Sequence, residues 1–430
     1  MKKESYSLAD FGVTRREGVL LNGLRFVFIE KPFAPIHAKI MMRAGAVFDP
    51  IGKEGLAHFT EHIIASGSKE LSIEAFSGLL ESIGGYWNAT TGIGYMSVEC
   101  EISLPEHLDN MRQYFQHALS SIYLTEELLK KEKSVVISEI EKARSKPDYN
   151  SYWHIAKVVA GDTPWGRPVL GTPETVSRFS IQDVEAFFRT YCTVENMVLV
   201  VAGGCTLDLV EQTFGTISFQ HGKLHELPED PDVLESTAPI LYEQNVPQTN
   251  IACMFQGPQI GSKEDHLLNF ALRIAHEGFT SRFYKKIRNE RGLAYSLGKF
   301  GMGFKEHTQY LGTQLGVPEG KVLEALTAVR ECYQELLDEG ISQKEIDDKV
   351  DTLWFAARRN MERASDWVEV FDYDELYPPK SPLHDTYPDV YNYRRTYTAA
   401  EVHVVLKKYI ILDQMYVALS GKDVLIHKIV

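Results

Sequence analysis

His58, Glu61 and His62 lie in the stretch Gly55-Leu-Ala-His58-Phe-Thr-Glu61-His62-Ile-Ile-Ala-Ser-Gly-Ser68, which reads as a helix. Residues four apart sit one turn apart on one helical face, so both imidazoles can reach a single metal ion. Glu61 is three residues from His58, on the same side, where it can meet a metal-bound water. The His-x-x-Glu-His order therefore points to a zinc site with an acid–base carboxylate beside it, the equipment of a hydrolase. A pattern this short also arises by chance. The reading needs a third ligand and a fold that brings it close.

The third ligand should be a His or a carboxylate on a facing element. Glu139, in Glu132-Lys-Ser-Val-Val-Ile-Ser-Glu139-Ile140, is the best candidate. Glu132 and Glu139 are seven apart and share a helical face, which Val135, Val136 and Ile140 make partly buried. A carboxylate there needs a partner, and zinc would serve. Glu132 could orient a histidine ligand through its second ring nitrogen. By spacing alone, both are equally well read as solvated glutamates of a charged helix, alongside Glu126, Glu127 and Glu141. Two histidines and one glutamate leave a coordination position for water, as in a catalytic rather than a structural site. Glu61 would take that water's proton and pass it to the leaving amine. No nucleophile triad is apparent.

The elements that must position these residues follow from periodicity. Val19–Glu30 reads as a hairpin with a type I′ turn at Asn22-Gly23. In its second strand Leu24, Phe26 and Phe28 alternate with Arg25, Val27 and Ile29, which predicts one well-buried face. A strand over 36–44 and a glycine-rich segment over 45–55 lead into the motif helix. A helix over 72–83, strands over 86–91 and 95–102, a helix opened by Pro105 and a long helix over 125–145 follow. Residues 161–175 carry prolines and glycines that predict an ordered loop. Ser180 with Asp183 starts a helix, and Met197–Ala202 is an apolar strand suited to a sheet interior.

Ser180-Ile-Gln-Asp-Val leads to Asn196-Met-Val-Leu-Val-Val-Ala-Gly203. Thr398-Ala-Ala-Glu-Val leads, at the same spacing, to Gln414-Met-Tyr-Val-Ala-Leu-Ser-Gly421. Thr398 and Glu401 have the form of a capping box. The repeat predicts an α+β chain of two copies of one domain, 1–217 and 239–430, joined by the polar, proline-bearing linker 218–238. In the second copy we expect a strand over 251–256, a helix over 264–276, a turn at 278–282 and a helix through Arg288. Residues 341–370 should be helical, and 377–393, with four prolines, a loop.

At 430 residues the chain suits two domains of about 200 residues each. A net charge of −14 without a basic stripe disfavours nucleic acid as a partner. No run reaches the length of a membrane span, and the N-terminus lacks a signal's apolar core. Cys100, Cys192, Cys205, Cys253 and Cys332 are scattered and unpaired in spacing. They predict reduced, buried thiols in a cytoplasmic protein.

Together these segments resemble the M16 metallopeptidases, the inverzincin family of pitrilysin, insulin-degrading enzyme and the mitochondrial processing peptidase. The Glu132…Glu139-Ile segment is similar to the family's third-ligand helix, which implies Glu139 as ligand and Glu132 as its acidic neighbour. Asn88-Ala-Thr-Thr91 resembles the strand along which members lay substrate backbone, implying Asn88 and Ala89 as substrate-binding. Ser281-Arg-Phe-Tyr-Lys-Lys-Ile-Arg288-Asn-Glu-Arg-Gly-Leu-Ala-Tyr295 resembles the family's Arg/Tyr segment. Arg288 and Tyr295 would then bind substrate backbone and the attacked carbonyl. From the residues alone they read as a surface arginine and a core aromatic. His276-Glu277-Gly278-Phe279-Thr280 departs from the family's glycine-rich turn, which leaves the local turn open.

The resemblance implies antiparallel or mixed sheets flanked by helices, forming half of a clamshell. It further implies a Zn2+-dependent endopeptidase that cleaves peptides inside a dimeric chamber, with Glu61 as general base. A homodimer is the simpler form, because one chain carries both the motif and the Arg/Tyr pair. The alternative is a non-catalytic subunit, or one that needs a paralogous partner in a heterodimer.

Overall fold

The apolar runs Met197–Gly203 and Tyr416–Gly421 are buried along their whole length. A strand buried on both faces must lie inside a sheet that is covered on both sides. The computed structural model, which describes residues 7–305, 308–378 and 389–422, holds two such sheets. In spatial order the first is β1 (Thr14–Val19), β2 (Arg25–Glu30), β6 (Met197–Gly203), β3 (Ile36–Met42), β5 (Met96–Ile102) and β4 (Tyr86–Thr91). The second is β7 (Ile240–Glu243), β11 (Tyr416–Gly421), β8 (Gln248–Gln256), β10 (Gln309–Pro318) and β9 (Ser296–Gly303).

The two sheets are wired alike. β2 pairs β6 in parallel, as β7 pairs β11. The next neighbours, β6 to β3 to β5 to β4 and β11 to β8 to β10 to β9, are antiparallel throughout. β1 is the one addition. The repeat read from residues 180–203 and 398–421 is thus a duplicated α+β topology. Both copies of its helix start on a capping box, Ser180 with Asp183 and Thr398 with Glu401.

Each sheet packs helices of its own half on one face. On the first sit Leu56–Ile64, Ile73–Glu81, Leu108–Leu119 and Ile181–Tyr191, on the second Lys263–His276, Val322–Glu339 and Ala399–Tyr409. The opposite faces are covered by exchange. The Ala364–Leu376 helix lies on the first sheet, where Trp367, Val368 and Phe371 meet Val27, Ile29, Val200 and Ala202. The Pro147–Ala160 helix lies on the second, where Ile155, Ala156 and Val159 meet Ala252, Met254 and Ala418. Charge supports the first contact: Lys39 Nζ reaches Asp372 Oδ2 at 2.7 Å, and Arg43 Nη2 donates to Leu376 O at 2.7 Å.

This exchange corrects the expectation for the opening hairpin. Val27 and Ile29 are as buried as Phe26 and Phe28, because the Ala364–Leu376 helix covers the face that alternation left to solvent. Gly23 has a φ of 85°, but Asn22 does not share a positive φ, so the turn is not type I′. It is a wider loop closed by Leu20 N–H donating to Leu24 O. The Asn22 amide instead donates to Phe214 O and Ile217 O.

Other boundaries moved for local reasons. Val135, expected on the buried side of its helix, is exposed, while Val136 and Ile140 are buried. The 161–175 segment holds a short helix, Pro173–Ser177, because proline at a first helical position lacks only a bond the helix would not make. Of the loop expected at 377–393, residues 389–393 begin the helix Asp389–Arg394, and 379–388 lie outside the described residues. Residues 218–238 form neither helix nor strand, yet they are tied down. Trp165 Nε1 donates to Glu229 O and Leu234 N to Tyr310 Oη. Among the described residues no helix is long and apolar enough to cross a membrane.

Trp367 is fully buried, and its indole N–H donates to Met361 O. Trp367→Ala should remove about 3–5 kcal/mol of stability by opening a cavity between the second half's helix and the first half's sheet. Urea denaturation checks this. An unchanged midpoint would mean that the exchanged helix contributes little.

Candidate metal centre

The motif helix is Leu56–Ile64, and its start is fixed from outside. Its N-cap is Gly55 at a φ of 91°, a residue without a side chain to cap with. The buried Asp49 takes over that role: its carboxylate accepts from Gly55 N at 2.7 Å and Ala57 N at 2.8 Å. Burial pushes the Asp49 pKa up to about 8, against the pull of these two N–H bonds. The proline- and glycine-rich loop over 161–171 closes on the same point. A Cβ on Gly171 would stand 2.1 Å from Glu54 O, so only glycine lets the chains approach. Arg167 Nη1 donates to Asp49 O and Thr175 Oγ1 to Glu54 O.

On this helix the His58 and His62 rings face each other edge-on, with centroids 4.8 Å apart. The crossing helix Glu126–Arg144 brings Glu139 to them. Glu139 Oε2 lies 3.3 Å from His58 Nε2 and 3.4 Å from His62 Nε2. The second nitrogen of His62, Nδ1, lies 3.3 Å from Glu132 Oε2. Glu132 itself is buried, which a carboxylate tolerates when it accepts from a partner. The other nitrogen of His58, Nδ1, lies 3.3 Å from Glu61 Oε2. Glu61 Oε2 also accepts from Thr91 Oγ1 at 2.7 Å.

The ligand atoms of His58, His62 and Glu139 all lie within 4.8 Å of one another. Two imidazole nitrogens and one carboxylate oxygen converging at that distance suit zinc in type and number. Glu132 stands where a residue orienting a liganding imidazole must stand. Without an ion the same atoms share protons. Burial works against a proton on His62, but the bonds to Glu132 and Glu139 outweigh it and raise its pKa to about 9. His58 is raised too: burial opposes its proton, and Glu139 and Glu61 hold it. The two imidazoles keep the Glu139 carboxyl well below the usual range.

The other expected site residues fall elsewhere. Asn88 and Ala89 lie on β4, the last strand of the first sheet, paired on one side by β5. The Asn88 amide reaches Glu99 Oε1 at 3.4 Å, and Ala89 packs against the core. Arg288 and Tyr295 meet each other. The Arg288 guanidinium sits between the Tyr284 and Tyr295 rings, 4.8 and 4.7 Å from their centroids, and Nη1 donates to Tyr295 O. Arg288 belongs to a π-helical segment, Tyr284–Glu290, a geometry frequent at functional sites. Tyr295 is 76% exposed, so it is no core aromatic. Among the described residues no hydrogen bond, ion pair or ring contact joins this pair to the motif helix.

His276, the departure from the expected turn, is a core residue. Nδ1 donates to Leu272 O at 2.8 Å, so Nε2 accepts from Thr313 Oγ1 at 2.7 Å. Tyr333 Oη then donates to Thr313 Oγ1. The turn is kept by Gly278 at a φ of 100°. Sequence reasoning missed the roles of Asp49 and Thr91. Asp49 had no signal, being in a loop, whereas Thr91 lay within a segment already singled out.

Two outcomes follow from the protonation states. Burial lowers the His276 pKa from 6.5 to about 4. The neutral ring is the folded form, so its contribution is complete above pH 6.5 and is lost as pH falls through about 4. This amounts to about 3 kcal/mol. Denaturation across this range should show the slope, and His276→Phe should lack it. His62, with a pKa near 9, carries a proton at pH 7 that a liganding nitrogen cannot keep. Zinc loading at pH 7 should therefore release about one proton or more. Titration calorimetry in buffers of different ionisation enthalpy reads this, and a buffer-independent heat would contradict it.

Residues 26–173 match the family described as "Insulinase (Peptidase family M16)", and residues 178–353 match "Peptidase M16 inactive domain". A Bacillus subtilis protein named an uncharacterized zinc protease, YmxG, is 26% identical over 76% of this chain and 80% of its own length. A Helicobacter pylori protein named a non-peptidase homolog is 24% identical over 74% of this chain and 73% of its own. The crystal structure of a Pseudomonas fluorescens protein titled "peptidase M16 inactive domain" superposes with a TM-score of 0.84 at 18% identity. It covers 96% of this chain and 98% of that one, a likeness of fold. With both domain matches in order along one chain, on a duplicated fold of this kind, the protein belongs to the M16 peptidase family.

Proposed function

We propose that this chain is a zinc-dependent metalloendopeptidase acting on peptides or unfolded segments, with Glu61 as general base. The observation that carries the reading is the convergence of His58, His62 and Glu139 from two helices, with Glu61 beside them. When bound there, zinc would acidify water and polarise a peptide carbonyl. The chain's own residues supply the rest. Glu61 accepts the proton of the attacking water and returns it to the leaving amine, so its net charge is restored each cycle. Glu132 holds His62 Nδ1 and thereby aims Nε2. The edge of β4 that no other strand pairs among the described residues, with Asn88 and Ala89, offers main-chain groups to an extended substrate. Arg288 and Tyr295 supply cationic and phenolic donors for a developing oxyanion once the two halves of a chamber meet.

We read residues 1–217 and 239–430 as the two domains of half a clamshell, joined by 218–238, with a homodimer completing the chamber. Five free, buried cysteines support a reducing compartment such as the cytoplasm. The second reading is a non-catalytic or heterodimer-dependent subunit, favoured by the name of the Helicobacter pylori relative. The "inactive domain" match spans only residues 178–353, whereas His58, Glu61, His62 and Glu139 fall within the 26–173 match.

Metal analysis and digestion of a mixed peptide library separate the readings. The wild type should carry about one zinc per chain. Glu61→Gln should keep the metal and cleave about 10²- to 10⁴-fold more slowly. Wild type without zinc, or Glu61→Gln cleaving normally, overturns the mechanism. An inert lone chain rescued by a paralogue would replace the homodimer with a heterodimer.

A further inference from the structure

The acid–base carboxylate is held by a residue outside the motif. Thr91 Oγ1 donates to Glu61 Oε2 at 2.7 Å, a shorter contact than the 3.3 Å between that oxygen and His58 Nδ1. Among the described residues Oε1 of Glu61 has no hydrogen-bond partner. We propose that Thr91 is a positioning residue for Glu61. Its hydroxyl pins one carboxylate oxygen and leaves the other free to take a proton. The proposal rests on reading Glu61 as the base.

Thr91 is built to be a fixed donor. It is the last residue of β4, where it pairs with Met96 of β5. The next residue, Gly92, closes the hairpin by donating to Tyr95 O at 2.7 Å. A Cβ on Gly92 would stand 2.4 Å from the Tyr95 ring, so a side chain there would have to displace that ring. The far side of the turn is tied to the segment that leads into the motif helix. Ala46 N donates to Gly92 O and Val47 N to Ile93 O, and Asp49, two residues on, caps that helix. The donor and the helix that bears the acceptor are therefore braced against each other through backbone.

Strand alternation gives the contact its direction. Trp87, Ala89 and Thr91 share one face of β4, and Trp87 and Ala89 pack against the core on the side of the motif helix. Asn88 and Thr90 point the other way, with the Asn88 amide 3.3 Å from Thr90 Oγ1. One short strand thus serves two tasks. Its free edge is available to substrate backbone, and its inner face holds the base. A hydroxyl donating to an ionised carboxylate is charge-assisted and worth more than a neutral pair.

The test compares Thr91→Val, which keeps shape and loses the hydroxyl, with Thr91→Ser, which keeps the hydroxyl. The probe is an internally quenched peptide that the wild type cleaves, chosen from a mixed-sequence library. Thr91→Val should lower kcat about 10- to 100-fold, as for one hydrogen bond to a charged group, with KM and zinc content unchanged. Thr91→Ser should restore most of the rate. In zinc-loaded crystals the Glu61 carboxylate should leave its place in Thr91→Val and keep it in Thr91→Ser. The proposal fails if Thr91→Val matches the wild-type kcat, if Thr91→Ser is as impaired as Thr91→Val, or if Glu61 does not move. If the wild type cleaves no peptide either alone or with a paralogue, the reading of Glu61 as base fails. The Glu61 position in the variant crystals then still decides whether Thr91 holds it.

Discussion

Two imidazoles one helical turn apart, with ring centroids 4.8 Å from each other, are a like-charged pair whenever both are protonated. Protonated, they need a negative group between them; neutral, they can both ligate one metal ion. Glu139 meets that requirement from another helix, and much of the first half is arranged so that it can. The helix Glu126–Arg144 crosses the motif helix with Val136 and Ile140 in the core and Glu132 buried on the same side. A buried carboxylate is costly without a partner, and His62 Nδ1 is that partner. The opposing charges justify one another, and a divalent ion could replace the protons they share.

Holding this cluster in register is a backbone problem before it is a side-chain problem. The motif helix begins at a glycine in the left-handed region, with no cap of its own. Asp49 supplies the missing acceptor from six residues upstream. The Gly171 approach to Glu54 and the Arg167 bond to Asp49 O bring a loop more than a hundred residues away in sequence to the same point. The first turn of a helix has free N–H groups and little internal support, so external ties there set where His58 stands.

The duplicated fold adds a constraint of its own. Each sheet is covered on one face by helices of its own half and on the other by a helix of the opposite half. Trp367 and Phe371 complete the first sheet, and Ile155 and Val159 complete the second. In a two-domain chain of the M16 family, such an exchange couples the halves. A displacement of one sheet must move a helix whose chain continues into the other. Arg43, bonded at once to Leu376 O and His225 O, sits at that junction.

The local pattern was sufficient to single out three residues whose side chains converge. His58, His62 and Glu139 are legible because helical periodicity puts them on defined faces, and the repeat is legible because cap, helix and buried strand recur at one spacing. Periodicity describes one element at a time, so it could not report that a helix from the second half covers Val27 and Ile29. Nor could it distinguish Val135 from Val136, one exposed and one buried on the same helix. The roles of Asn22, Asp49 and Thr91 depend on partners that are distant in sequence or lie across a turn, and His276 reads as an oddity until Thr313 and Tyr333 close around it. The sequence alone determined which residues could form the site, because residue type and helical spacing are local properties. Only the tertiary structure decided which of them meet, because contacts between elements depend on how sheets and helices stack.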